Sequence, residues 1–481
     1  MLFNTFPFLG FFVVVAAGYF LLRGRARLWW LLGASYYFYM SWEPWLGILL
    51  LASTVVDYAC GIGIGESEDP RVRRRLLWTS LGLNLGILFV FKYLGFFSES
   101  LFRLLRSLGF AGPDPAPLEG ALGGVILPIG LSFYTFQTLS YTIEVYRGRF
   151  EPERDFSRYA LFVAFFPQLV AGPIERATRF LPQLDREITF DLERVRMGLA
   201  IMAWGFFLKV VGADRLGVYV DTVYLDPAAH AGWPQIAAMY FFAFQIYFDF
   251  AGYSIIALGA AKVFGFDLMV NFDRPFWASN VGAFWRRWHI SLMSWLRDYL
   301  FRVMVRRRVE PLTAILLVFA ISGLWHGANW TFLVWGTLNG VVLVLERQTG
   351  AWRARIRKRY LSFIPERLAT FTMGFLGMTL LSFLLILFRS PSMSAALGYM
   401  AQMPRLGVLS LDVLGDRVEL ALCFGVIAFA QLAHWFRPEH RVPELVLDRP
   451  VALRWTAYLG YALVIVLLGI ARKEPFIYFQ F

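Results

Sequence analysis

The chain is short of the residues that build disulfides, metal centres and water-facing surfaces. Its two cysteines, Cys60 and Cys423, both fall inside apolar runs, so neither a disulfide framework nor a metal site is expected. Charged residues make up 17% of the chain against 58% hydrophobic, with a mean hydropathy of +0.55, and no soluble domain of this length needs so much apolar surface. No internal repeat, low-complexity tract or Gly-rich nucleotide loop is visible. No charged side chain precedes the first apolar run and no small-x-small site follows it, so that run is not read as a removable signal peptide.

What is present is a succession of apolar runs. A hydrocarbon core of about 30 Å needs about 20 helical residues. Spans are expected near 2–22, 28–41, 44–64, 76–98, 122–144, 194–212, 234–262, 311–348 (two passes), 367–388, 417–436 and 451–470. The 157–172 stretch is short and ends in Gly172-Pro173, which points to a re-entrant or tilted segment. The reading is one all-α polytopic domain over 1–481, with 471–481 as a tail. The net charge of +12 is concentrated in Arg23–Arg27, Arg71–Arg75, Arg147–Arg158, Arg286–Arg308 and Arg353–Arg359. The alternating loops, Trp42–Pro44, Ser98–Glu119 and Asp214–Pro234, are neutral or acidic. Basic juxtamembrane loops stay cytoplasmic, which puts both termini outside and argues against nucleic-acid binding.

Of five histidines, two stand out: His289 in Phe284-Trp-Arg-Arg-Trp-His-Ile-Ser-Leu292 and His326 in Ser322-Gly-Leu-Trp-His-Gly-Ala-Asn329. An imidazole in membrane-type sequence needs partners, and proton transfer is a reason to keep one there. Continued as one helix, 284–301 would carry a stripe of Trp285, Trp288, Leu292, Trp295 and Tyr299, flanked by Arg286 and Arg297. That is the pattern of an interfacial helix, with Arg286, Arg287 or Arg297 near phosphates of a donor or of lipid. On spacing alone, a ring bonded to a neighbouring backbone carbonyl to fix this helix is the plainer reading of His289. Pro311 opens a helix whose fifteen steps to His326 rise about 22 Å. Gly323 and Gly327 leave room there for another backbone or a substrate, and Asn329 is placed to orient the ring. Asp57, Lys92, Glu144, Lys209 and Asp249 also lie in or at the ends of apolar spans. Pairing between helices is the plainer reading of each, and a shared polar cavity is the reading of the set, with Asp249 bordering it.

Four stretches resemble the membrane-bound O-acyltransferase family, and within it the bacterial alginate O-acetylation branch. They are Gln245-Ile-Tyr-Phe-Asp-Phe-Ala-Gly-Tyr-Ser254, Asn271-Phe-Asp-Arg-Pro-Phe276, Phe284 to Leu292, and Leu324-Trp-His-Gly327. Pro128–Gln137, Phe165-Phe-Pro-Gln168 and Ala171-Gly-Pro-Ile174 are similar to the same branch. The resemblance implies a ring of tilted helices with re-entrant segments and an outer funnel, with His326 catalytic near its floor. It implies that His289 lies towards the cytoplasmic side, and that Asp249, Asn329, Arg286, Arg287 and Trp325 serve substrate. It also implies an acyl thioester such as acetyl-CoA as donor substrate, no bound cofactor or metal, and an exported SGNH-type transferase or esterase as partner at the inner membrane. The tail, Phe476-Ile-Tyr-Phe-Gln-Phe481, resembles a terminal Phe-x-Tyr-x-x-Phe motif in which Tyr478 relays the acyl group. Residue pattern alone makes the tail an aromatic interface anchor. Two other functions compete: a polymer or small-molecule transporter, for which no inverted-repeat symmetry is seen, and a long-chain lipid or protein acyltransferase.

Overall fold

A computed structural model describes residues 1–110, 128, 130–407, 409–470, 476 and 477. The described residues are helical throughout, with no strand among them, as expected of a chain whose backbone must satisfy its own polar groups in lipid. Among the described residues, seven helices are long and apolar enough to cross a membrane: Pro44–Glu66, Pro70–Ser107, Leu192–Leu225, Trp233–Val263, Glu366–Arg389, Arg417–Phe436 and Val451–Leu468. Phe6–Leu21 and Pro311–His326 are shorter apolar helices. The protein is an all-α polytopic membrane protein. It resolves into two compact units, residues 1–195 with 261–268, and residues 196–260 with 269–481.

In the first unit, Pro44–Glu66, Pro70–Leu88 and Leu131–Tyr146 pack together around Asp57, which is fully buried. No cation meets it. Ser80 Oγ donates to its carboxylate at 2.6 Å, and Asn84 Nδ2 does so at 2.8 and 2.9 Å. Thr138 Oγ1 then donates to Asn84 Oδ1 at 3.4 Å. Each donor comes from a neighbouring helix, so the buried carboxylate fixes helix rotation as well as finding partners. The short stretch read as re-entrant is a broken helix, Phe156–Ala164 then Phe166–Leu169, bent at Phe165. Phe162, Phe165 and Phe166 are all fully buried. Irregular backbone at membrane depth is tolerated where protein covers it, as here.

The second unit is organised on Trp233–Val263, whose apolar stretch is 89% buried. Two sequence expectations need correction here. The acidic loop expected from Asp214 is helix as far as Leu225. Lys209 lies in a wide turn, 207–213, in which the Asp214 N–H reaches the Lys209 carbonyl five residues back. This puts both side chains on one side, and Asp214 becomes a buried partner of Lys209 rather than a loop charge. The continuous interfacial helix expected over 284–301 is also absent. Val281–Trp285 stops, His289 takes a left-handed conformation (φ 46°, ψ 51°), and Ile290–Leu296 starts afresh. The break occurs because the Ile290 N–H donates to the Asn271 carbonyl at 2.9 Å instead of continuing the helix. The tryptophan stripe therefore faces protein, with Trp285, Trp288 and Trp295 all buried.

Helices Pro311–His326 and Trp330–Gln348 form a tight hairpin. Gly323 is what allows it: a Cβ there would sit 2.3 Å from the Phe332 carbonyl oxygen and 3.1 Å from the Gly336 Cα. Of the two approaches expected at this glycine, backbone or substrate, it is backbone. Gly323→Ala should destabilise the second unit by about 1–3 kcal/mol through overpacking, read as a lowered melting temperature in detergent. Gly10→Ala, with nothing within 4 Å of the added carbon, is the neutral control.

Candidate active site

His326 closes helix Pro311–His326, and its ring stands edge-on to three aromatics. The centroids are 4.9 Å from Trp325, 5.3 Å from Trp335 and 5.5 Å from Phe388. His289 lies 5.9 Å from the same tryptophan and 4.6 Å edge-on to Phe250. Trp325, only 4% exposed, thus neighbours both imidazoles. Both histidines are buried, His289 at 1% and His326 at 7%. Aromatic walls of this kind restrict ring orientation and limit the access of water.

The cavity beside this centre is apolar. It is small, about 30 Å³, and is walled by Phe276, Trp285, Trp288, Trp335, Met378 and Phe388 among others, with Asn339 and Ser382 contributing polar atoms. His326 does not line it directly, but two of the three rings around His326, Trp335 and Phe388, do. None of Asp57, Lys92, Glu144, Lys209 and Asp249 lines it.

Four of them, Asp57, Glu144, Lys209 and Asp249, meet other partners instead of a shared cavity. Lys209 Nζ pairs with Asp249 at 2.5 Å and Asp214 at 2.8 Å, all three side chains at most 7% exposed. Glu144 pairs with Arg147 at 3.1 Å. Asp249 also accepts from the Ile477 N–H at 2.7 Å. The Lys209 ammonium lies 4.7 Å over the Phe476 ring, which stands 4.4 Å edge-on to Tyr253. The last described residues of the chain are therefore held in the interior of the second unit. Tyr478 follows immediately and lies outside the described residues.

The remaining expected residues are placed as follows. Asn329 caps helix Trp330–Gln348, accepting from the Thr331 N–H at 3.1 Å and donating to the Pro391 carbonyl at 3.1 Å. Arg286 is exposed, whereas Arg287 Nη1 donates to backbone carbonyls of Trp277 at 3.2 Å and Arg274 at 3.5 Å. Sequence reading passed over a third histidine in apolar sequence, His434, fully buried in helix Arg417–Phe436. Its Nδ1 is 3.3 Å from the Tyr247 hydroxyl, which donates to Glu439. His434 was open to the same intramembrane-histidine test as the others. Glu439, in a polar connecting stretch, carried no signal. Burial pushes its carboxyl above the usual carboxylate range, and the Tyr247 and Arg274 hydrogen bonds pull it back down.

Residues 152–388 match the family model for the membrane-bound O-acyltransferase family. The chain is 33% identical to the probable alginate O-acetylase AlgI of Pseudomonas putida over 506 aligned positions, covering all of both chains. The chain belongs to the membrane-bound O-acyltransferase family. It is also 37% identical to the probable alginate O-acetylase AlgI of Pseudomonas aeruginosa, over 73% of this chain and 66% of that one. It is 33% identical to the peptidoglycan O-acetyltransferase of Helicobacter pylori, over 85% and 81%. The protein is a multi-pass membrane O-acyltransferase, and both histidines of this O-acyltransferase fold within or between segments of the matched region.

The ion-pair cluster generates a prediction. Lys209→Met leaves two carboxylates buried without their cation and should cost about 3–5 kcal/mol, read by thermal unfolding in detergent. Lys209→Met/Asp249→Asn should recover part of that loss. In an Ile477→Cys background the added thiol should react faster with a maleimide once Asp249 is changed to Asn, since the two native cysteines are buried.

Proposed function

We propose that this acyltransferase takes an acetyl group from a cytoplasmic thioester, acetyl-CoA, and passes it across the bacterial inner membrane for O-acetylation of an exported polysaccharide such as alginate. Both termini lie on the outer side in this reading, and an exported SGNH-type transferase collects the acetyl group. The observation that carries the reading is the His326–Trp325–His289 centre in a chain that aligns end to end with a probable alginate O-acetylase. The relatives' named acceptors differ, alginate in some and peptidoglycan in another. The shared part is O-acyl transfer to an envelope polymer.

In this mechanism His326 is the general base and Tyr478 the acceptor. His326 removes the phenolic proton while the phenol oxygen attacks the thioester carbonyl. The tetrahedral oxyanion collapses, the C–S bond breaks, and the thiolate leaves with the proton from the imidazolium. A phenol, with a pKa near 10, is a better leaving group than an alkyl alcohol, so acetyl-Tyr478 can hand its acetyl group to a hydroxyl of the exported partner. The apolar wall at Trp335 and Phe388 would face the uncharged arm of the thioester, and His289 would serve the donor side. Arg286, exposed, would meet the donor's phosphates. Support for the relay comes from the tail: Ile477 and Phe476 are tethered at Asp249 and Lys209, one residue short of Tyr478.

The purified protein incubated with radiolabelled acetyl-CoA should carry label on the peptide containing Tyr478. His326→Ala should fold and lose labelling, with transfer falling by about 10²-fold or more. Tyr478→Phe, which removes one oxygen and keeps both flanking phenylalanines, should abolish polymer acetylation. Full polymer acetylation by Tyr478→Phe would leave the tail an anchor. Wild-type transfer by His326→Ala would remove His326 from catalysis.

A further inference from the structure

The second unit contains a buried hydrogen-bonded cluster that the acyl-transfer scheme does not use: His434, Tyr247 and Glu439, at 0%, 0% and 1% exposure. The Tyr247 hydroxyl donates to Glu439 Oε1, and the same oxygen accepts the backbone N–H of Arg274 at 2.7 Å. With Tyr247 donating to Glu439, the 3.3 Å contact with His434 Nδ1 is satisfied by the Nδ1–H tautomer donating back to the phenol oxygen. Glu439 Oε2 is buried with no hydrogen-bond partner among the described residues. The whole arrangement converges on one backbone amide.

Arg274 is an awkward residue to find there. Its φ of 50° and ψ of 57° lie in the left-handed region, which costs an L-residue a clash between Cβ and backbone, and the following Pro275 further disfavours helical dihedrals. Nothing in the Arg274 side chain explains it, since its guanidinium pairs with the partly exposed Asp273. What holds the turn is the hydrogen bond from its N–H to the buried Glu439 Oε1 at 2.7 Å.

The turn matters because of what it grips. The Arg274 carbonyl accepts from Arg287 Nη1, and the Asp273 N–H donates to the Arg287 carbonyl at 3.1 Å. Three residues earlier, Asn271 accepts the Ile290 N–H on its carbonyl at 2.9 Å. Its side chain accepts from Ser291 Oγ at 2.6 Å and donates to Ser254 Oγ at 3.0 Å. Residues 271–274 therefore hold 287–291 on both sides of His289, whose own φ of 46° leaves it strained without that support.

We propose that Glu439 is a positioning residue for His289: its carboxylate fixes Arg274 in the left-handed turn, and the turn aligns the 287–291 segment that presents the imidazole. The inference rests on the reading that His289 serves acyl transfer. Glu439 acts as an acceptor, not as a charge, so an amide oxygen can replace it. Glycine at 274 adopts the same dihedrals without help and removes the need for it.

The test uses the full-length protein in detergent, with hydrogen exchange of the peptide covering 286–296 and acetyl transfer from acetyl-CoA measured together. Glu439→Ala should speed exchange of the Ile290 and Ser291 amides by about tenfold, while a peptide from Leu131–Tyr146 stays at wild-type rates. Its kcat should fall by about tenfold or more with the donor KM little changed. Glu439→Gln should return both readouts to near wild type, and Glu439→Ala/Arg274→Gly should recover most of the loss. Glu439→Asp, a milder change that draws the acceptor back from Arg274, should move both readouts the same way by less if the alanine variant does not fold. Wild-type exchange at 286–296 in Glu439→Ala or Glu439→Asp would overturn the inference, as would a glutamine variant as impaired as alanine. His289→Ala separates the two levels. If it is inactive while Glu439→Ala exchanges like wild type, only this inference fails; if it is fully active, the reading beneath it fails.

Discussion

A chain with so little water-exposed backbone must answer every polar group from within, and the second unit does so around one ammonium. Lys209 is flanked by Asp214 from its own helix and Asp249 from Trp233–Val263, and Asp249 turns its second oxygen to the Ile477 amide. One lysine, two carboxylates and one backbone N–H thus tie two membrane helices and the chain's end together. A buried pair of this sort adds little stability over an apolar replacement, but losing one partner is costly. Its contribution is specificity of register: the wide turn at 207–213 places Lys209 and Asp214 on the same side, and Asp249 must then face them. The end of the chain is held at the same point.

The two histidines are handled by a different device. Each is packed among aromatic rings, with Trp325 common to both, and His289 adds a left-handed backbone conformation. Helix Pro311–His326 delivers His326 at its last turn because Gly323 lets the returning helix come close. His289 is delivered by a break, held by Asn271 and by the turn at Arg274. Two of the rings around His326, Trp335 and Phe388, also wall the small apolar cavity beside it.

Much of this was legible in the residues, for reasons that differ by feature. The spans could be read because hydrophobic length is set by the bilayer, and most fall within a few residues of the observed helices. His326 could be located because a helix starting at Pro311 has a fixed rise. The 284–301 helix was misread because its periodicity is truly helical; what interrupts it is a hydrogen bond from Ile290 to Asn271, a partner from a separate segment that no local pattern reveals. Asp214 was read as a loop charge for a related reason, since its cation lies five residues back across a widened turn. Asp249 was marked as unusual, with ion pairing the plainer reading taken singly and a cavity wall the reading of the set; it pairs with Lys209.

Sequence by itself determined the class of protein, the membrane-crossing helices, and the two histidines, because composition, run length and motif are properties of the chain in order. The tertiary structure alone decided which polar groups meet: Lys209 with Asp214 and Asp249, Asp249 with Ile477, Glu439 with Arg274, and both imidazoles with Trp325. Those contacts join residues up to 228 positions apart, as Asp249 and Ile477 are. A buried polar group takes whichever partner packing brings within reach, and packing is decided by the whole unit at once.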